Sequence, residues 1–354
     1  MPPLWIVKRE VRRTLDQAKF PFLIASAPIF RKLHDRRKSR TSRLTMGSRT
    51  RGPNVALVLL YQPKGVLAST FETCRYLSAK GYSCLIVSNA VLSEGDRATL
   101  SPYCFEMLER PNFGYDFGGY RDGILHLLNS EVPMKGLLVL NDSIWFPTLS
   151  GEDFLDHVMA QKADIYGAVM ARPKRRSAPN HLQSYAFAFG QSLVESPEFA
   201  DYWRNLPVCN NRRWTIRQCE CKMTEHFRQR GFSVGARWDF AEVVAAIGRL
   251  SDDDLVALLQ WDARRRKNRA LVVTPLLALR GQPEWRKQAE DYIHLPCAGK
   301  FILLLHPALL AEMGFPFLKK SFEANYTKFR PIYAQVLEGR CDPIVLAEVA
   351  QWDR

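Results

Sequence analysis

The chain has 354 residues, 47% of them apolar and 11% aromatic, which excludes a disordered polymer and is enough to bury a large core. Its formal charge is +14 and is concentrated in the first fifty residues. No RNP, zinc-finger or helix-turn-helix signature directs that charge to nucleic acid, and the longest apolar runs, FPFLIASAPIF and FILLLHPALL, are too short to span a bilayer. The eight cysteines include no CxxC pair and read as reduced packing residues. Cys209, Cys219, Cys221 and His226 are the nearest approach to a zinc set, at a spacing that matches no common structural pattern.

In chain order, residues 1–52 form a basic leader. Its first segment, LWIVKREVRRTLDQAKF, places Leu4, Val7, Val11 and Ala18 near one helical face, with Lys8, Arg9, Arg12 and Arg13 around the rest. That pattern suits an anionic membrane surface; a solvated leader is the alternative. After Pro53 strand and helix alternate. VALVLLY and SCLIVSNA read as buried strands on either side of the helix LASTFETCRYLSAKGY, which predicts a parallel pair. The loop RPNFGYDFGGYRDG follows, then a helix YRDGILHLLNSEV and a third strand, GLLVLNDS. Further on come a helix and strand in FLDHVMAQKADIYGAVMA, a basic loop RPKRRSAPN, and the alternating strand HLQSYAFAFG. Helices dominate from there. The expected architecture is α/β: a Rossmann-type sheet with helices on both faces over residues 53–240, with a basic N-terminal helix and a helical C-terminal region, 241–354, packed on it.

The glycine-rich loop matches neither GxGxxG nor GxxxxGK[ST]. A Gly-rich turn between a strand and a helix still aims backbone N–H groups at a phosphate, and Arg121 would add a guanidinium to a diphosphate. The alternative is a tight structural turn with Asp116 and Asp122 as caps. Downstream, the run LLVL ends in Asn141, Asp142 and Ser143, which places oxygen ligands at the carboxyl end of a buried strand, where open parallel sheets bind ligands. Asp142 there suits Mg²⁺ or Mn²⁺ shared with a substrate diphosphate; otherwise it caps a turn before Pro147.

RPNFGYDFGGYRDG, LVLNDSIWFP, HLQSYAFAF and GFPFLKK together resemble the rhamnan synthesis protein F family. The order Asn112-x-Gly114, Arg121-Asp122-Gly123 and a hydrophobic strand ending in an acidic cluster is also similar to the GT-A glycosyltransferases of inverting family 2. The resemblance implies a GT-A-like fold and a single, inverting displacement. In it a sugar, often rhamnose from a dTDP donor, passes to a growing cell-surface polysaccharide or lipopolysaccharide. The donor site would gather Asn112, Gly114, Asp116, Arg121, Asp122, Asn141 and Ser143, with Asp142 as metal ligand. Glu220, in ECKMTEHFRQRGF, is expected to open a helix that closes at Gly231 and Phe232 and to act as the base; a first-turn Glu favoured by the helix dipole is the alternative. His181, Ser184 and Tyr185 are candidates for the acceptor or sugar pocket, and Trp203 and Trp214 for sugar stacking or core.

The partners implied are a nucleotide-sugar donor and a glycan or lipid-linked glycan acceptor, at a cytoplasmic site peripheral to the inner face of the cell membrane. One departure matters. A strict D-x-D would carry two acids, whereas Asn141 and Ser143 flank the single Asp142. A metal-independent enzyme using Arg121 and backbone N–H groups therefore stays open, as does a catalytically inactive scaffold subunit of an assembly complex.

Overall fold

The computed structural model describes residues 23, 26–130, 132–171, 180–265, 267–297, 302–327 and 330–353. The helix expected over the first twenty residues and most of the basic loop after Ala171 lie outside the described residues. Helix α1 (26–41) leads into strands β1 (Arg43–Met46) and β2 (Asn54–Leu60), helix α2 (Ala68–Ala79) and strand β3 (Ser83–Ser88). Helix α3 (Glu94–Leu100), β4 (Cys104–Glu109), α4 (Tyr115–Asn129), β5 (Gly136–Asn141) and β6 (Ile144–Trp145) follow. Next come α5 (Phe154–Ala160), β7 (Ile165–Ala171), β8 (His181–Leu182), β9 (Ala186–Gly190), α6 (Gln191–Val194) and α7 (Pro197–Asn205).

A short α8 (Arg212–Trp214), a π-helical segment (Thr215–Glu220) and α9 (Cys221–Arg228) then precede β10 (Val234–Trp238). The C-terminal part holds α10 (Phe240–Arg249), α11 (Asp252–Arg265), α12 (Lys267–Ala278), α13 (Trp285–Cys297) and α14 (Pro307–Glu312). It ends with β11 (Leu318–Lys319), α15 (Ala324–Thr327), α16 (Arg330–Leu337) and α17 (Pro343–Gln351). Among the described residues no helix is long and apolar enough to cross a membrane.

The main sheet runs β1-β4-β3-β2-β5-β9-β7-β10, with β8 beside β7. Its centre is parallel: β2 pairs with β3 in register Leu57↔Leu85 and with β5 in register Leu57↔Val139. Strand β9 then enters antiparallel to both β5 and β7. β2 is apolar throughout because both of its faces are covered. Val55, Leu57 and Leu59 join Phe117, Tyr120 and Ile124 of α4 on one side, while Ala56, Val58 and Leu60 join Cys74 and Leu77 of α2 on the other. This is the α/β class expected from the strand and helix alternation.

The second face does not stop at α2. Val243 and Ile247 of α10, Tyr292 of α13, Leu309 of α14 and Val345 of α17 belong to the same apolar cluster as α2 and that side of β2. The C-terminal helices thus complete the core of the sheet. They also deliver β11, which pairs antiparallel with β6 in register Leu318↔Trp145 and Lys319↔Ile144, immediately after Asp142 and Ser143.

Candidate active site

The glycine-rich loop folds earlier than its sequence indicates. Helix α4 starts at Tyr115, whereas the sequence places its start at Tyr120. Gly114 caps it in the left-handed region (φ +79°), its N–H held by Asn210 Oδ1 at 2.8 Å, and Tyr115 follows at φ +53°, unusual for a residue with a side chain. A Cβ on Gly118 would lie 1.8 Å from the carbonyl oxygen of Phe113. Gly118 therefore lets the first turn close onto its own loop, and Gly119 lets the helix approach Leu59 of β2, so the glycines have a packing role here. Asn112, just ahead, is exposed.

Arg121 and Asp122, both placed at the donor by the sequence pattern, are positioned elsewhere. The Arg121 guanidinium is buried, bidentate to Asp35 of α1 at 2.6 and 2.8 Å, and donates to the carbonyls of Trp203 and Arg204. Asp122 is also buried and accepts from Arg110 Nε at 2.5 Å and His34 Nε2 at 2.7 Å, with Lys38 Nζ at 3.3 Å. Burial alone would raise the Asp122 carboxyl. The His34 hydrogen bond and the charges of Arg110 and Lys38 outweigh it and hold the group well below the usual carboxylate range. These contacts clamp α1 onto α4; the guanidinium is spent before any diphosphate arrives.

The remaining predicted polar residues do converge. Asn141, buried at the end of β5, donates to the Tyr120 hydroxyl at 2.8 Å and to Asp116 Oδ2 at 3.4 Å, while its Oδ1 accepts from the Ser143 hydroxyl at 2.5 Å. Lys319 Nζ donates to Ser143 Oγ at 2.6 Å. Asp142 Oδ2 accepts the Tyr61 N–H at 2.7 Å at the end of β2. The polar chain Asp116, Asn141, Ser143, Lys319 therefore crosses the carboxyl ends of two parallel strands, the edge at which such sheets present ligand sites.

Charge binds these residues into one group. Asp116, in the first turn of α4, is exposed to solvent on one side and closely surrounded by protein on the other. Burial, then the neighbouring Asp142 charge, pushes its carboxyl up to about 6, against the opposing pull of Lys319. Burial also raises Asp142, opposed by the Tyr61 N–H and Lys320. Lys319 and Lys320 are both lowered by burial, against the attraction of the surrounding carboxylates. Glu220 belongs to this field, since its charge acts on both Asp116 and Lys319.

Glu220 does not open a helix. Its backbone is already helical (φ −62°, ψ −59°) where the π-helical segment runs into α9, which removes the helix-dipole explanation for an acid at that position. Such one-turn π segments are frequent at functional sites because they re-aim a side chain without ending the helix. Glu220 Oε1 lies 3.4 Å from the Ser184 N–H. The helix closes as expected, before Gly231 at φ +88° and Phe232.

The other candidates are placed as follows. Ser184 contributes its backbone, its carbonyl accepting from Tyr120 Oη at 2.7 Å. Tyr185 is buried against Phe317, with ring centroids 5.4 Å apart. His181 is half-buried, its Nε2 3.7 Å from Cys221 Sγ. Trp203 and Trp214 are core residues. Lys319 and Lys320 are the residues that reading by local pattern missed. The only signal for them was GFPFLKK, a motif 176 positions from Ser143 whose role emerges when β11 pairs with β6.

Among the described residues, one group of three metal-ligating side chains has its atoms within 4.8 Å of one another: His34, Asp35 and Asp122. The spacing is compatible with a divalent cation, but the same carboxylates already answer Arg110, Arg121 and Lys38. Asp142 does not gather such a set, and neither do Cys209, Cys219, Cys221 and His226. Around Asp142 one carboxylate oxygen holds Tyr61, the Asn141 oxygen holds Ser143, and two lysines stand alongside.

Fold and cleft together define a mixed α/β protein with a charged site at the carboxyl ends of its parallel strands. The model of the family described as rhamnan synthesis protein F matches residues 84–246. The uncharacterized protein y4gN of Sinorhizobium fredii is 31% identical over 341 residues, 91% of this chain and 85% of its own length. The virulence protein VirA of Vibrio anguillarum is 25% identical over 166 residues, 45% of this chain and 51% of its own. Among solved structures, a mannosyltransferase of Pyrobaculum calidifontis in complex with GDP-Man and Mn²⁺ aligns at a TM-score of 0.33 and 12% identity. That alignment covers 95% of this chain and 98% of that one. The chain belongs to the rhamnan synthesis protein F family. This membership supports a glycosyltransferase-like role.

Proposed function

We propose that the chain is a glycosyltransferase that moves a sugar from a nucleotide-diphosphate donor to a growing polysaccharide, with inversion. The observation that carries the reading is the hydrogen-bonded convergence of Asp116, Asn141, Ser143 and Lys319, with Asp142 and Glu220 in the same electrostatic field, at the carboxyl edge of the sheet in a chain of this family. Glu220 takes the proton of an acceptor hydroxyl as that oxygen attacks the anomeric carbon. The bond from the anomeric carbon to the donor phosphate breaks in the same displacement, and the nucleoside diphosphate leaves with the electron pair. Asp142 and Asn141 position the sugar end of the donor, and the cations of the cleft offset charge on the departing diphosphate.

The family description, rhamnan synthesis protein F, favours rhamnose as the sugar; the acceptor in this reading is a cell-surface glycan or lipid-linked glycan. A peripheral position on the inner face of the membrane is supported by α1, where Ile29, Phe30 and Leu33 are exposed among Lys32, Arg36 and Arg37. The test is nucleoside diphosphate release from dTDP-rhamnose and a panel of other nucleotide sugars, with and without glycan acceptors. Acceptor-dependent release is the expected result. Binding of a donor without release would instead assign the chain to the scaffold class, and binding of none would remove the donor site.

A further inference from the structure

We propose that Lys319 is the cation that meets the donor diphosphate, so that the site binds a nucleoside diphosphate without a divalent metal. The inference rests on the transferase reading above and deepens it.

The placement of Lys319 is dictated by backbone. The β6–β11 ladder pairs Lys319 with Ile144, and the N–H of Lys320 bonds the Ser143 carbonyl at 2.9 Å, so the two lysines cannot drift from the end of β5. Their side chains are used differently. Lys320 is nearly closed off from solvent, donates to Ser69 Oγ at 2.9 Å, lies 3.7 Å from Glu348 and sits 5.6 Å over the Trp145 ring. Glu348 in turn accepts from Trp145 Nε1 and from the backbone and hydroxyl of Ser69. Lys320 is thereby fixed as a positioning residue beside Asp142.

Lys319 has a single hydrogen-bond partner among the described residues, the Ser143 hydroxyl, out of the three donors an ammonium carries. It stands in the attraction of Asp116, Glu220 and Asp142. Holding an ammonium there, enclosed and with donors to spare, costs solvation that an anionic ligand would return.

At the turn after β5, two of the oxygens a divalent cation would use already accept hydrogen bonds. Asp142 Oδ2 answers Tyr61 and Asn141 Oδ1 answers Ser143. A cation placed at Asp142 would also confront two ammonium groups. The single acid of the Asn-Asp-Ser turn and the Lys-Lys pair of β11 are thus two halves of one arrangement. The charge that a second acid would recruit as a metal is supplied covalently, by a lysine from the far end of the chain.

The experiment is calorimetric binding of dTDP, UDP and GDP to the full chain in EDTA and again in Mn²⁺, using wild type, Lys319→Gln and Lys319→Arg. We expect wild type to bind one of the three in EDTA with affinity within threefold of that in Mn²⁺. Lys319→Gln should weaken binding by about tenfold to a hundredfold, the loss of one charged hydrogen bond. Lys319→Arg should restore part of it. A folded Lys319→Gln that binds normally would overturn the proposal, as would wild-type binding that requires Mn²⁺; the latter leaves the transferase reading intact. Failure of all three nucleotides under both conditions would overturn the two together. Thermal melts of each variant separate a folding defect from a binding defect.

Discussion

Lys319 donates a 2.6 Å hydrogen bond to Ser143 although 176 positions separate them in the chain. One partner lies in the turn between β5 and β6 and the other in a two-residue strand of the helical C-terminal region. The candidate active site therefore joins the central sheet to the C-terminal region, and its chemistry depends on a ladder of two residue pairs.

Replacing Glu220 by Gln keeps the shape and removes the base. The maximal rate should fall by about 10² to 10⁴, the usual contribution of a general base, while donor affinity stays within twofold. Steady-state kinetics with donor and acceptor varied separately would check this; equal losses in both would assign Glu220 to binding.

Asp122 is held by Arg110, whose side chain is fully buried. Asp122→Ala leaves that guanidinium unpaired and should cost about 3–5 kcal/mol of stability, read as a fall in denaturant midpoint, with nucleotide binding unchanged in the folded fraction. The pH sign follows from a carboxyl depressed in the folded state. Its stabilisation is complete above the unfolded value, near 4, and is lost as pH falls below it. Wild type should therefore lose more stability than Asp122→Asn on acidification.

Asp116 has the opposite sign, because its folded carboxyl is pushed up to about 6. The folded state holds the proton more tightly than the unfolded chain does, so stability declines as pH rises from about 4 through 6 and is level above. Asp116→Asn should melt higher than wild type at pH 7.5, by a margin that shrinks toward pH 4. A constant margin in melts across that range would show that the carboxyl is not raised.

Gly118→Ala gains helix propensity worth up to about 1 kcal/mol, but its Cβ would meet the Phe113 carbonyl at 1.8 Å. Backbone must move to relieve that contact, and overpacking of this kind costs about 1–3 kcal/mol. The net effect should be destabilisation, measured by chemical denaturation, with looser donor binding because the first turn carries Asp116.

The sequence by itself determined the alternation of apolar strands with helices, since a strand covered on both faces must be apolar throughout, as β2 is. It also marked the polar stop after Leu140 and the residues around Glu220 as places to look. The start of α4 was hidden because two adjacent glycines argue against a helix in isolation, whereas packing requires both, Gly118 against the Phe113 carbonyl and Gly119 against Leu59 of β2. Arg121 and Asp122 lie in the same short motif as Asp116, yet successive helical positions face different directions, and only the docking of α1 showed that these two are paired with Asp35 and His34. The role of Lys319 was decided by tertiary structure alone. A side chain's partners across 176 residues depend on strand pairing, which no local spacing encodes.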